Sequence, residues 1–349
     1  MRKQYGISLV ELMISITIGL ILMTGVIQLF LSSRATFSTQ QAVARVQETG
    51  RLAMEFLSSD ARMAGYMGCM SRNANISNML NTPNSLLYDY ATPLEGVDNA
   101  TGTLEAGYPT NVLAGTDVLL VRSASGTAVG VAAPNTGTAV LAEFTNSAVT
   151  CADNSAGVSG FCPSDIVVVS DCTKARVFQV SGAAAASGNT HTILDHGAGS
   201  SPGNATVTWG GASATGLYET FDTDAEIAKL NTTIYYISDQ GASGVPGLWQ
   251  RVNGGNAQEL LEGVEDMQIL YGRDTGSDGV PDDYLTATAV GAAWDQVTSV
   301  RIQLLVRSGE NNVLAEAQPY TFNGATTTPA DRRLRQVFSS TIGIRSNLQ

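Results

Sequence analysis

Residues Gly6 to Leu12 read GISLVEL, and Leu12 to Leu31 continue as LMISITIGLILMTGVIQLFL, twenty residues without a charge. As a helix that run would be roughly 30 Å long, the hydrocarbon thickness of a bilayer, so it predicts a membrane-embedded segment. Arg2 and Lys3 precede it. Basic residues stay on the cytoplasmic side, which sends everything after Leu31 across the membrane. The run is longer than the apolar core of a cleaved signal peptide, and the SSRAT after it is a poor cleavage site. A plain anchor accounts for the run but not for Glu11, a carboxylate flanked by Leu9, Val10, Leu12 and Met13. Charge carried to mid-bilayer costs about 2.5–3.5 kcal/mol.

The stretch Gly6-Ile7-Ser8-Leu9-Val10-Glu11-Leu12 resembles the prepilin signature: a short basic leader ending in Gly, four mostly apolar residues, then Glu. The resemblance implies that a membrane-embedded aspartyl prepilin peptidase cuts after Gly6 and methylates the new terminus at Ile7. It also implies that an inner-membrane assembly platform passes the subunit into a filament. Electrostatics gives Glu11 a purpose in that setting. A terminal amine buried among apolar groups needs an anion, and Glu11 of one subunit can supply it to Ile7 of the next. Either charge alone in low dielectric costs on the order of several kcal/mol, so the pair would fix the axial register between subunits.

Helical periodicity continues past the apolar run. Ala42, Val46, Ala53, Phe56, Leu57, Ala61 and Ala64 recur at helical spacings with polar residues between them, which predicts one apolar stripe. Gly50 costs about 1 kcal/mol against Ala without breaking the helix, and the helix is expected to end near Gly65 and Gly68. Many major pilins have a proline about twenty-two residues after the cut; this chain has Gln28.

After the stalk the period shortens to that of strands. Asp117–Arg122, Asp165–Ser170, Arg176–Val180, Thr233–Ser238 and Leu248–Val252 are the clearest, followed by Glu265–Tyr271, Ser299–Arg307 and Leu334–Arg345. Val300, Ile302, Leu304 and Val306 alternate with Arg301, Gln303 and Arg307, so one face is buried and the other is wet. The stretches Ser123–Gly160 and Ser181–Gly216, rich in Gly, Ala, Ser and Thr, read as long surface loops. The expected fold is α+β and pilin-like, with a long N-terminal helix packed on a mainly antiparallel head. Its parts are a leader at 1–6, a membrane and filament-core helix at 7–31, an amphipathic stalk at 32–66 and a β-rich head at 67–349.

The 349 residues carry a net charge of −12 with only 14% charged residues, a polar rather than an ionic surface. Outside Arg332, Arg333 and Arg335 the basic residues are scattered, which argues against a nucleic-acid partner. The cysteines Cys69, Cys151, Cys162 and Cys172 lack the paired CxxC spacing of a zinc site. In an exported chain they read as disulfides, with reduced buried thiols as the alternative. Cys151 and Cys162 enclose a short Gly- and Ser-containing loop, which favours pairing them and leaves Cys69 for Cys172.

The phrases RMAGYMGC (Arg62 to Cys69), DIVVVSDCTKARVFQV and VEDMQILYGRDTGSDG resemble minor pilins of the PilW kind. That resemblance implies a low-abundance pilin that joins other minor and major pilins, primes filament assembly and presents a tip adhesin. The head would be periplasmic before assembly and at the cell surface in the filament afterwards. Pseudopilins of type II secretion share the same leader, and a non-filament envelope protein anchored by the helix is a further alternative.

An enzyme is poorly supported. The two histidines, His191 and His196, lie in a Gly- and Asn-rich stretch at a spacing that suits neither a helical zinc pair nor a triad, and no HExxH or P-loop pattern occurs. One segment, DTGSDGVPDD from Asp274 to Asp283, compares with an EF-hand-like calcium loop. Asp274, Asp278, Val280 through its carbonyl, and Asp282 fall at ligand positions, while Gly276 and Leu285 stand where acids are expected. A solvated acidic turn is the competing reading. No other cofactor is implied.

Overall fold

The computed structural model describes residues 8–68, 75–101, 104–145, 148–151, 154–211 and 215–345. Gly6, Ile7 and Cys69 therefore lie outside the described residues. Leu9–Met63 form one α-helix of 55 residues, roughly 80 Å long at the usual rise per residue. It runs unbroken through Gly19, Gly25, Gln28 and Gly50.

One stripe of that helix is buried: Ala42, Val46, Gly50, Ala53, Leu57 and Ala61. Gly50 belongs to it. Phe56, expected on the stripe, is instead 42% exposed, because it sits one residue before Leu57 and about 100° away round the helix. The helix stops where Ala64 leaves helical geometry and Gly65 adopts φ of +74°, a left-handed conformation that costs glycine little. The Gly65 N–H then donates to the Arg122 carbonyl at 2.8 Å, and the Ala124 N–H donates to the Tyr66 carbonyl at 2.6 Å. These bonds tie the end of the stalk to the strand Val118–Ala124.

The stripe lies on an antiparallel sheet of four strands in the order Asp283–Leu285, Val264–Arg273, Val297–Arg307, Arg335–Gly343. Along Val297–Arg307 the side chains of Val300, Ile302, Leu304 and Val306 are buried, while those of Arg301, Gln303 and Arg307 are only partly so, as the alternation requires. These residues share one core with Ala53, Leu57 and Ala61 of the helix and with Met267, Ile269 and Ile342 of the flanking strands. The chain is thus an α+β protein in which a long apolar-ended helix packs on a mostly antiparallel head.

A second sheet of twelve strands is organised by Glu226–Ser238, which is 13 residues long. Its first residues pair with Ile166–Ser170 and its later ones with Val118–Ala124 and Gly247–Val252, all antiparallel. Asn75–Asn78 pairs in parallel with Lys174–Gln179. The expectation of two long surface loops is corrected here. Val129–Ala133, Ala139–Ala142, Gly182–Ala185 and Thr192–Asp195 are strands of this sheet. Val131, Val140 and Leu194 pack with Trp209 and Phe221 into a core of their own. The strands are built largely of Ala, Gly and Thr, so their alternation is faint, and two distant aromatic residues supply much of the core volume.

Candidate functional site

The first half of the helix is the conspicuous surface. Leu9, Ile14, Leu20, Leu22, Met23, Leu29 and Phe30 are each more than half exposed. The helix is long and apolar enough to cross a membrane, and none of its apolar window is buried within the molecule. Glu11 is the one ionisable side chain from Ser8 to Leu31. It stands in the first helical turn, where the unpaired backbone N–H groups favour a carboxylate. Up to Leu31 the hydroxyl groups inside the helix bond to its own backbone. Ser15 donates to the Glu11 carbonyl at 2.7 Å, Thr17 to Met13 at 3.0 Å, and Thr24 to Leu20 at 2.8 Å. A hydroxyl bonded to its own helix can enter hydrocarbon without an orphaned polar atom, which leaves the Glu11 carboxylate as the unusual group.

A helix exposed in this way on a β-rich head, with a single acid in its first turn, defines the class: a type IV pilin-like protein. Residues 1–27 match the prokaryotic N-terminal methylation motif, and residues 234–346 match the family described as Type IV Pilus-assembly protein W. At its N-terminus and over its C-terminal third the chain is therefore similar to PilW-like type IV pilins. No curated protein and no solved structure matches it. The second matched range begins within Glu226–Ser238 and takes in every strand of the sheet that carries the helix.

Where the helix meets the head, the loop after Arg307 closes on it. The Thr39 hydroxyl donates to the Val313 carbonyl at 3.0 Å, and Arg45 pairs with Glu310 at 3.2 Å. The basic cluster noted in the sequence holds this loop in place. Arg335 pairs with Glu265 at 2.6 Å and with Asp331 at 2.5 Å, Arg307 pairs with Glu265 at 3.3 Å, and Arg333 with Asp331 at 3.6 Å. Arg332 donates to the Asn312 side chain at 3.0 Å and to the Ala315 carbonyl at 3.2 Å. Arg335 holds Asp331 below the usual carboxylate range. These guanidinium groups are turned to the protein's own acceptors. Glu265 lies seventy residues from Arg335 in sequence, so nothing local announces the pairing.

Cys151 and Cys162 form a disulfide with Cα atoms 5.8 Å apart. Cys172 is disulfide-bonded as well, and Cys69 lies outside the described residues.

The acidic loop turns its carboxylates onto its own backbone. Asp274, buried, accepts from the Gly279 N–H at 2.7 Å and from the Asp278 N–H at 3.4 Å. Asp278 accepts from the Val280 N–H at 2.9 Å. Asp282 accepts from the Thr275 N–H at 2.8 Å and from its hydroxyl at 2.6 Å, bonds that lower its pKa. Among the described residues no three His, Cys, Asp or Glu side chains converge on a place for a metal ion. This geometry favours the acidic turn over a calcium loop.

The two histidines have separate surroundings. His191 is half-buried, with its ring Nδ1 3.1 Å from the Thr190 hydroxyl. His196 is buried and stacks on Trp209 with ring centroids 4.1 Å apart, while the Arg176 guanidinium lies 4.4 Å from the Trp209 ring centroid. Burial pushes the His196 pKa down to about 4. The imidazole is therefore a neutral, flat core group at ordinary pH. A pilin-family match points to a structural rather than an enzymatic role.

Proposed function

We propose that this chain is a minor pilin of a type IV pilus that primes filament assembly and sits at or near the tip, with other minor pilins and an adhesin. The observation that carries the reading is the uncovered apolar helix with Glu11 in its first turn, joined to the match of residues 234–346 to a pilus-assembly family. An uncovered apolar surface of that length needs lipid first and other helices later. In this reading prepilin peptidase cuts between Gly6 and Ile7, and the Ile7 amine of one subunit meets Glu11 of its neighbour. The head waits in the periplasm until the inner-membrane platform extracts the helix.

A deletion strain scored together for pilus number, twitching and type II secretion tests it. Loss of pili with secretion intact is the expected result. Loss of secretion with normal pili would make the chain a pseudopilin instead.

A further inference from the structure

The strand Arg335–Gly343 is the outer member of the C-terminal sheet. All nine residues pair with Val297–Arg307 on one side, and among the described residues no strand pairs with its other side. In an antiparallel pair the backbone polar groups of alternate residues point to opposite sides. The Ile344 N–H donates to the Thr298 carbonyl at 2.9 Å, and the Ser308 N–H donates to the Leu334 carbonyl at 2.8 Å. With the register unbroken between these bonds, the even-numbered residues form the inner ladder. The N–H and C=O groups of Val337, Ser339 and Thr341 therefore point outward, and the residues Ser339 and Thr341 are exposed.

Proteins commonly guard such an edge with a short strand, a bulge, Lys or Pro. The other edge of this sheet, Asp283–Leu285, is guarded by being three residues long. Arg335–Gly343 has no bulge, no Lys and no Pro. We propose that it docks an extended strand, flanked by acidic residues, from the head of a co-assembling pilin, by strand addition to the sheet.

Two observations select that occupant. The first is position: the buried stripe of the helix packs on this strand, with Gly50 against Phe338. Subunits gathered through their apolar helices thus arrive alongside this edge, and the inference rests on the pilin reading in that respect. The second is charge. Arg307, Arg333 and Arg335 outnumber Glu265 and Asp331 in the ion-pair cluster at one end, and Arg345 is exposed at the other. Pairing two copies of the edge with Ser339 opposite Thr341 would set Arg335 opposite Arg345, and like charges directly opposite destabilise a sheet. An acid-flanked strand from another chain meets both ends favourably.

The outward donors make a selective test. Ser339→Pro and Thr341→Pro remove N–H groups that bond nothing within the sheet, whereas Ser340→Pro removes one from the inner ladder. The full-length Ser339→Pro and Thr341→Pro chains in detergent are expected to melt within about 2 °C of the parent, yet to fall at least tenfold in sheared filaments. Ser339→Lys, which leaves the backbone intact, should fall likewise. In filaments containing the parent chain, the Ser339 and Thr341 amides should exchange hydrogen at least tenfold more slowly than in the solubilised protein. Normal incorporation of the variants with unprotected amides overturns the proposal while leaving the pilin reading in place. Protection of these amides in a dimer of the purified chain alone would name a second copy as the occupant and also overturn it. If the parent is absent from sheared filaments and Glu11→Ala changes nothing, the pilin reading itself fails.

Discussion

The ring of Phe338 occupies the space that a Cβ on Gly50 would fill, so the stalk helix and the edge of the C-terminal sheet meet ring against backbone. Gly50 costs the helix about 1 kcal/mol relative to Ala, and the close approach uses it. Gly50→Ala should therefore destabilise the head by about 1–3 kcal/mol despite its better helix propensity. Thermal unfolding of the full chain in detergent reads this. Adding Phe338→Leu should recover part of the loss, whereas a stabilising Gly50→Ala would show that the ring moves aside freely.

Glu11→Ala removes a carboxylate that bonds nothing in the head, so folding and membrane insertion should be unchanged. Incorporation into sheared filaments should drop at least tenfold, because in the proposed assembly the Ile7 amine of a neighbour would lose its counter-charge. Equal recovery of mutant and parent would mark the carboxylate as incidental. Terminal mass spectrometry of the same filaments should find methylated Ile7 as the first residue.

Asp117 is buried, and its carboxylate accepts the backbone N–H groups of Asn99 and Ile269 at 2.8 Å and 2.7 Å. Burial nevertheless pushes its pKa up to about 6, and Asp266 is pushed to about 6 by the same cause. These two carboxyls bind protons more readily in the folded state between pH ~4 and ~6, so their contribution to stability falls as pH rises through that window; His196, held at about 4, acts in the opposite sense, one group against two. The melting temperature should be higher at pH 5 than at pH 8. Asp117→Asn should shrink the difference by removing one of the two titrations. Below pH ~4 the trend reverses, because Asp331, held low by Arg335, must then be protonated. A flat profile from pH 5 to 8 would contradict the assignment.

Millimolar calcium should leave the melting temperature of the full chain unchanged, since the carboxylates of Asp274, Asp278 and Asp282 are engaged with loop donors. A calcium-dependent rise that Asp278→Ala abolishes would restore the metal loop.

Non-reducing peptide mapping should link Cys151 to Cys162 and Cys172 to Cys69. The first bridge closes a loop of sequence separation 11, for which chain entropy gives about 3 kcal/mol. The Cys151→Ser/Cys162→Ser pair should lower the melting temperature by several degrees. A Cys69–Cys151 peptide would overturn the second link.

Much of this was legible because it is written locally. The charge-free run with Glu11 at its border, the spacing from Ala42 to Ala61 and the alternation from Val300 to Val306 each need only a few consecutive turns or pleats. What escaped depends on distant partners. Phe56 looks as apolar as Leu57, and only the orientation of the helix on the sheet tells them apart. Val140 and Leu194 sit among small residues and become core only when Trp209 and Phe221 close over them. The arginines near the C-terminus resemble an anion-binding patch until Glu265 and Asp331 are placed beside them. The acidic loop has ligand-like spacing, but its carboxylates turn to the nearest N–H groups, a choice the spacing does not encode.

The strand Glu226–Ser238 belongs to two neighbourhoods at once, pairing with Ile166–Ser170 at its start and with Val118–Ala124 and Gly247–Val252 farther along. Its continuous backbone makes it a tie rod between the outlying lobe and the part of the head that grips the helix. Tension applied to that lobe along the strand direction loads several rows of cross-strand hydrogen bonds in shear, all at once. They would have to break together, unlike a hinge that opens one contact at a time.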